Sequence, residues 1–320
     1  MPSADSPALQ GSDVSLLGKL PAQPDFVRIH YSGRAAAELD QWLVQAVEQL
    51  HLGKVELSAP VRFAFCAARA QNVLFGVLAP SRDQGGRSFP VAVFDSLPLA
   101  AVLGRLAACM IAHEPFMGGA EAVIREAQAL PPGAALGGPL EGLHAPDAAA
   151  LATVQTALEG NLRAASAAQF LERAFGPFEQ GMHFYACFAL LTAAAPVRAQ
   201  APDKPGTVLD CGLRDAFDRA ALVELVTRVL SRWRTAVPSC FWVEQPEPRL
   251  LLSLGPPPAD VLRALADADY RPARLWPLVT GRVAAIERAR TALEPAMAGS
   301  STAGESLDAL LDALGRASLP

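Results

Sequence analysis

The 320-residue sequence predicts a layered α/β or α+β domain, because strand-like segments fall into two groups and helical segments separate the groups. A further observation agrees with a large buried core: 51% of the residues are apolar and 18% are charged. No repeat at a fixed period is present, so neither a solenoid nor a propeller is expected. Each group of strands is too small to make an obvious sheet alone. One composite domain is therefore expected, although a Pro/Gly-rich loop at 131–146 lies between the groups.

Residues 1–12 are small, polar and aperiodic and are expected to form a mobile tail. Residues 14–20 read as a short apolar strand, closed by Pro21 and Pro24. A helix is expected over 32–51, where Leu39, Trp42, Leu43, Ala46, Val47 and Leu50 recur at spacings of three and four. Residues 61–67 alternate around Phe63 and Phe65, 73–79 are almost continuously apolar, and 89–94 alternate again. Their short links suggest an antiparallel meander, with the last two strands joined by the polar stretch 80–88. Residues 97–130 have a helical pattern with a break around 114–119, and helical stretches follow at 148–175 and 182–194. After a polar, Pro-rich link at 195–206 come a short strand at 207–211 and an amphipathic helix at 214–235. Strands at 240–244 and 249–254 flank a turn and read as a hairpin. Helices are expected at 258–268 and 278–293, then a flexible linker near 296–305 and a short amphipathic helix at 307–314.

The net charge of -5 gives no electrostatic reason to expect nucleic acid or an anionic membrane surface as a partner. The longest apolar runs, 97–110 and 184–195, are interrupted or well short of the roughly 20 residues that span a bilayer, so no membrane insertion is expected. The first 14 residues carry no basic residue and no apolar stretch, unlike a secretory signal. The cysteines (Cys66, Cys109, Cys187, Cys211, Cys240) are odd in number, form no CxxC pair and sit mostly in apolar surroundings. They read as reduced core thiols, which points to the cytoplasm. No phosphate-binding loop, GxGxxG, HExxH or GxSxG elbow is present, and the five histidines are dispersed. No cofactor and no metal site are expected.

Three polar segments stand out. Arg82, Asp83 and Arg87 are concentrated on the loop at 80–90. Such a loop can hold an anion or a partner's carboxylate through bidentate arginine bonds. It can equally be a structural hairpin in which Asp83 caps backbone amides, Arg87 pairs internally, and Gly85 and Gly86 supply positive φ; physics alone favours this second reading. In the segment 18–28, Asp25 could cap the turn before the helix and Phe26 could anchor it in the core. In Pro238-Ser-Cys-Phe-Trp-Val243, Phe241 and Trp242 point to opposite faces of a strand, one in the core and the other under a helix or exposed as an interface anchor. The 307–314 stripe is either packed on its own domain or offered to another protein. A catalytic alternative is a hydrolase or transferase whose site forms where Asp25, Ser81, Asp83 and Arg87 meet at one end of the sheet.

Together these segments resemble the TagF (ImpM) family of type VI secretion-associated proteins. Leu17-Gly-Lys-Leu-Pro-Ala-Gln-Pro-Asp-Phe-Val-Arg28 is similar to that family's opening G-K-x-P-x-x-x-D-F-V-R. Leu39-Asp-Gln-Trp-Leu43 resembles its next helix motif, and Phe75-Gly-Val-Leu-Ala-Pro-Ser-Arg-Asp-Gln-Gly-Gly-Arg-Ser-Phe-Pro90 its G-V-[LM]-x-P-S-x-D-x-x-G-R-x-[FY]-P. Pro238-Ser-Cys-Phe-Trp242, with 250–257, resembles its later aromatic strand and glycine-proline turn. The resemblance implies an α/β sandwich core. The expected architecture is then a layered α/β/α sandwich with a mixed sheet over 13–270, followed by a helical C-terminal extension at 271–320. It also implies a cytoplasmic, non-catalytic accessory protein that represses type VI secretion post-translationally by binding a forkhead-associated-domain scaffold protein. A structural component of the secretion apparatus is the alternative. Some members carry a protein phosphatase domain, whose metal-binding Asp pattern this sequence does not show, so that activity is not carried over. The expected partner-binding residues are Asp25, Arg28, Arg82, Asp83 and Arg87.

Overall fold

A computed structural model describes residues 14–66, 71–135, 140–195, 197, 206–212, 215–231, 237–245, 247–297 and 305–317. The tail expected at 1–12, most of the link expected at 195–206 and most of the linker expected near 296–305 lie outside the described residues.

The N-terminal part runs β1 (Ser15–Gly18), β2 (Val27–Ile29), α1 (Gly33–Gly53), β3 (Val61–Cys66), β4 (Asn72–Ala79), β5 (Val91–Pro98), α2 (Leu99–Val102), α3 (Leu106–Ala112) and α4 (Glu114–Ala129). Helices α5 (Ala148–Ala164), α6 (Ala167–Phe175) and α7 (Met182–Ala194) follow. The rest is β6 (Val208–Cys211), α8 (Ala216–Ser231), β7 (Ser239–Val243), β8 (Arg249–Ser253), α9 (Val261–Ala266), β9 (Leu275–Pro277), α10 (Val283–Leu293) and α11 (Leu307–Arg316).

Among the described residues the strands form one sheet of nine, ordered β2-β1-β5-β4-β3-β7-β8-β6-β9. Every neighbouring pair is antiparallel except β6 and β9, so the sheet is mixed. The meander β3-β4-β5 and the hairpin β7-β8 form as their alternation predicts. Period-two alternation sends Phe63, Phe65 and Phe241 to one face, where α1 and α9 cover them. Ala64, Phe75 and Trp242 go to the other face, under a thick layer that includes α3 to α8 and α11. The result is an α/β/α sandwich with unequal helical layers. Phe241 and Trp242 are both fully buried, and Phe241 stacks on Trp42 of α1 at 5.0 Å.

The two strand groups join where β3 pairs with β7. Ser239 clips this seam: its hydroxyl accepts the Cys66 N–H at 2.9 Å and donates to the Cys66 carbonyl. Above it, Arg62 of β3 pairs with Glu114 and Glu121 of α4, while Arg219 of α8 bonds Glu114 at 3.2 Å and Glu244 at 3.0 Å.

Several local expectations need correction. The helical pattern breaks at 103–105 and again at His113, not across 114–119, and α4 continues through Gly118 and Gly119. A Cβ at Gly119 would lie 2.6 Å from Leu143 Cδ1, so the Leu143 side chain packs directly on the helix there. The 148–175 stretch is divided at Ala165–Ser166. Strand β9 lies beyond residue 270 and pairs with β6, so the sheet extends past the boundary expected there. Helix α11 buries Leu307, Leu310, Leu311 and Leu314 in the main core. Among the described residues no helix is long and apolar enough to cross a membrane.

Candidate functional site

The two polar segments expected to matter, 18–28 and 80–90, pack against each other at the end of β1 and β5. Gly18 makes this possible. Its φ is +133°, and a Cβ there would lie 2.3 Å from the Pro90 carbonyl oxygen, so the two backbones touch where only glycine fits. Further along, the Gln84 N–H donates to the Gln23 carbonyl at 2.9 Å, and Arg87 Nη2 donates to the Pro24 carbonyl at 2.9 Å.

Asp83 organises the junction. Its side chain is fully buried and accepts from Lys19 Nζ at 3.0 Å, Arg87 Nε at 2.7 Å and the Arg87 backbone N–H at 2.8 Å. Burial pushes its carboxyl pKa up, but the Arg87 N–H, Lys19 and the Arg87 guanidinium outweigh it and hold the pKa down to about 2. The turn closes through Gly86, at φ +78°, whose N–H donates to the Asp83 carbonyl. Of the two glycines expected to adopt positive φ, Gly86 does so and Gly85 does not.

Above this buried tether the surface is aromatic and cationic. Phe26 is 39% exposed and meets Phe89 edge-on at 4.7 Å. Lys19 Nζ lies 5.3 Å and the Arg28 guanidinium 5.6 Å from the Phe26 ring, within cation–π range. Phe26 is thus a surface residue, not the core anchor expected. Asp25 does not cap α1; its exposed carboxylate lies 3.7 Å from Arg87. Ser32 occupies the cap position of α1 instead. Arg28 pairs with Asp40 of α1 at 2.8 Å, and Arg82 pairs with Glu56 at 3.1 Å.

Residues 15–135, which contain this whole surface, match the family model described as the TagF N-terminal domain, type VI secretion system-associated. This region of the chain belongs to the TagF family. The protein is accordingly type VI secretion-associated. Among solved structures, the crystal structure of PA0076 from Pseudomonas aeruginosa PAO1 matches at 23% identity and a TM-score of 0.37, covering 45% of this chain and 77% of that one. No curated protein matches the chain.

Within the TagF domain, then, the five residues expected at a contact surface divide by exposure. Asp25, Arg28, Arg82 and Arg87 have solvent-exposed side chains, whereas Asp83 lies beneath and positions the loop. The four residues of the catalytic alternative are only partly brought together. Asp83, Arg87 and Asp25 form a chain of ion pairs, but the buried Ser81 hydroxyl has no hydrogen-bond partner among the described residues. Ser81 instead lines a cavity of about 180 Å³ between the C-terminal turn of α1 and the 80–90 loop.

Lys19 was not among the expected residues. Its only sequence signal was its place in the segment that begins at Gly18. Sequence reading also missed a buried pair on the other face. His113 Nε2 lies 3.2 Å from Asp95 Oδ2, its Nδ1 lies 2.7 Å from the Cys109 carbonyl, and its ring stacks on Phe75 at 4.3 Å. Both residues are inside the core, so this pair fixes α3 and α4 to β5. Four of the five cysteines are buried. Burial pushes the Cys109 thiol up to about 11 and the Cys187 thiol up to about 12, which leaves both protonated at neutral pH. Among the described residues no group of three or more His, Cys, Asp or Glu could hold a metal ion.

Proposed function

We propose that this protein is a non-catalytic, cytoplasmic repressor of type VI secretion that binds a forkhead-associated-domain scaffold protein through the Phe26 face of its TagF domain. The observation that carries the reading is the joining of the two motif segments into one exposed face. Phe26 stands there over the buried Lys19 and beside the exposed Arg28, and the Asp25–Arg87 pair is exposed on the same two segments. An aromatic and arginines on a pre-set surface are the residue types that anchor protein partners. Because Asp83 and Gly18 fix the loop before any partner arrives, little ordering entropy is lost on binding.

The chemistry nearby supports a non-catalytic role. A serine nucleophile needs a base within hydrogen-bond reach, and Ser81 has none among the described residues. Asp83 accepts three hydrogen bonds from Lys19 and Arg87, which holds it ionised and fully engaged, unlike a carboxyl poised for proton transfer.

The test is co-purification of the full chain with the forkhead-associated-domain protein of its own secretion cluster. Binding at micromolar concentration is expected, and Phe26→Ala should weaken it at least about tenfold, as for a central aromatic anchor. Absence of binding by the wild-type chain sinks the reading.

A further inference from the structure

We propose that the turn from β9 into α10 docks an acidic segment of a second protein, one that sets an aliphatic side chain beside carboxylates. This surface is built outside residues 15–135 and goes beyond the repressor reading.

Its apolar part stands out by exposure. Val283 is 77% exposed, more than any other large apolar side chain among the described residues, and Val279 is 42% exposed. Helix α10 buries Ala289 and Leu293, but its first turn leaves Val283 in water. The turn itself is held in place. The buried Leu278 donates its N–H to the Asp210 carbonyl at 2.9 Å. Gly281 lies on the Tyr185 ring of α7, so closely that a Cβ would be 2.9 Å from its Cγ. A surface set in advance loses little entropy when it binds.

Charge selects the occupant. Residues 271–290 carry five arginines and one carboxylate, Glu287, in a chain whose net charge is -5. Arg290 takes Glu287 at 3.5 Å. Arg282, next to Val283, and Arg288 are exposed and meet no carboxylate among the described residues. Arg288 Nε donates to the Ala284 carbonyl at 3.2 Å, which draws its guanidinium back toward the first turn. Elsewhere the exposed Arg28, Arg34, Arg82, Arg87, Arg163 and Arg173 each meet a carboxylate. Two unpaired guanidiniums beside two uncovered valines fit carboxylates that flank an aliphatic side chain. A bilayer fits less well. Glu287 and Glu294 are exposed on the same helix, and an anionic surface repels a chain of this net charge. Two valines are also a small anchor for a membrane interface.

Short soluble peptides built on Glu-Leu-Glu, Glu-Ser-Glu and Lys-Leu-Lys test this by NMR titration of the full chain with labelled valine methyls. Glu-Leu-Glu should shift the Val279 and Val283 signals and bind at least about fivefold more tightly than either control, since one control lacks the apolar group and the other repels the arginines. Arg282→Glu with Arg288→Glu should remove the preference over Lys-Leu-Lys, and Val283→Ser the preference over Glu-Ser-Glu. All three side chains are exposed, so these variants should melt like wild type. No binding of Glu-Leu-Glu, equal binding of either control, or shifts that spare Val279 and Val283 overturn the inference. Binding to phosphatidylserine vesicles that Val283→Ser abolishes assigns the surface to a membrane and overturns it. Self-association in light scattering that Val283→Ser abolishes assigns it to a second copy and does the same. Phe26→Ala should leave peptide binding unchanged. Failure of scaffold co-purification with the peptide preference intact removes the repressor reading alone, and the reverse removes this docking surface alone.

Discussion

Arg82 and Arg87 sit on the same exposed loop, yet reversing their charges should have different effects. Among the described residues the Arg82 side chain pairs with the exposed Glu56, so Arg82→Glu should weaken scaffold binding while thermal stability stays within about half a kcal/mol of wild type. The Arg87 guanidinium holds the buried Asp83, so Arg87→Glu, which puts a second carboxylate in its place, should lower Tm by several degrees, as should Asp83→Asn, which leaves the buried Lys19 without its counter-charge. Thermal melts of the three variants check this, and a similar loss for Arg82→Glu would contradict it. Acid adds a second check. Burial, with Arg290 as the lesser cause, pushes the His183 pKa down to about 4. The unfolded chain therefore binds a proton that the folded chain does not as pH falls from about 6.5 to 4, and stability drops over that window. The Asp83 carboxyl, held down to about 2, stabilises fully above about 4 and loses its contribution as pH falls from there. Melting curves across pH should thus show the first loss abolished by His183→Phe and the second by Asp83→Asn. At this scale the capping role of Asp83 and the pairing of Arg87 were legible, because both partners lie within one loop. Lys19, Asp95 and His113 were not, since their contacts form only when distant segments of chain pack together.

Among the elements, α11 shows how a sequence pattern can leave direction open. Its leucine stripe fitted either an internal helix or one offered to a partner, and the structure turns it inward. Arg228 of α8 secures it, pairing with Asp308 at 2.7 Å and Asp312 at 2.8 Å, while the Leu307 N–H donates to the Ala165 carbonyl at 2.8 Å. Leu311→Ala should therefore cost about 2–5 kcal/mol in urea unfolding, the range for a buried leucine. A cost under about 1 kcal/mol would mean that α11 is not part of the cooperative core. The long periodic helices and the alternating strands were readable because one face of each is buried along its length. Strands β2 and β9 were not readable. Each has three residues, too few to show alternation, and both lie at sheet edges, where β9 tolerates the proline that ends it.

The molecule as a whole does not divide where the TagF match ends. That match stops at residue 135, but β3 in the middle of the sheet pairs with β4 on one side and with β7 on the other. Residues 15–135 alone would leave the β7-facing edge of β3 unpaired. Trp42 would lose its stacking partner Phe241, and Glu114 would lose Arg219. A bare edge on a strand with Val61, Phe63 and Phe65 on one face is a template for pairing with another copy. The fragment 14–135 should therefore self-associate on size-exclusion chromatography with light scattering, under conditions where the full chain does not grow in the same way. Placing Pro at Ala64, whose neighbours in the sheet are Phe75 and Cys240, should reduce that association, because proline cannot donate to a new ladder. A monomeric fragment with protected β3 amides would show that the TagF region closes its own edge. In that case the second strand group would be an addition to a finished domain, and the Phe26 face would need nothing beyond residue 135 to hold its shape.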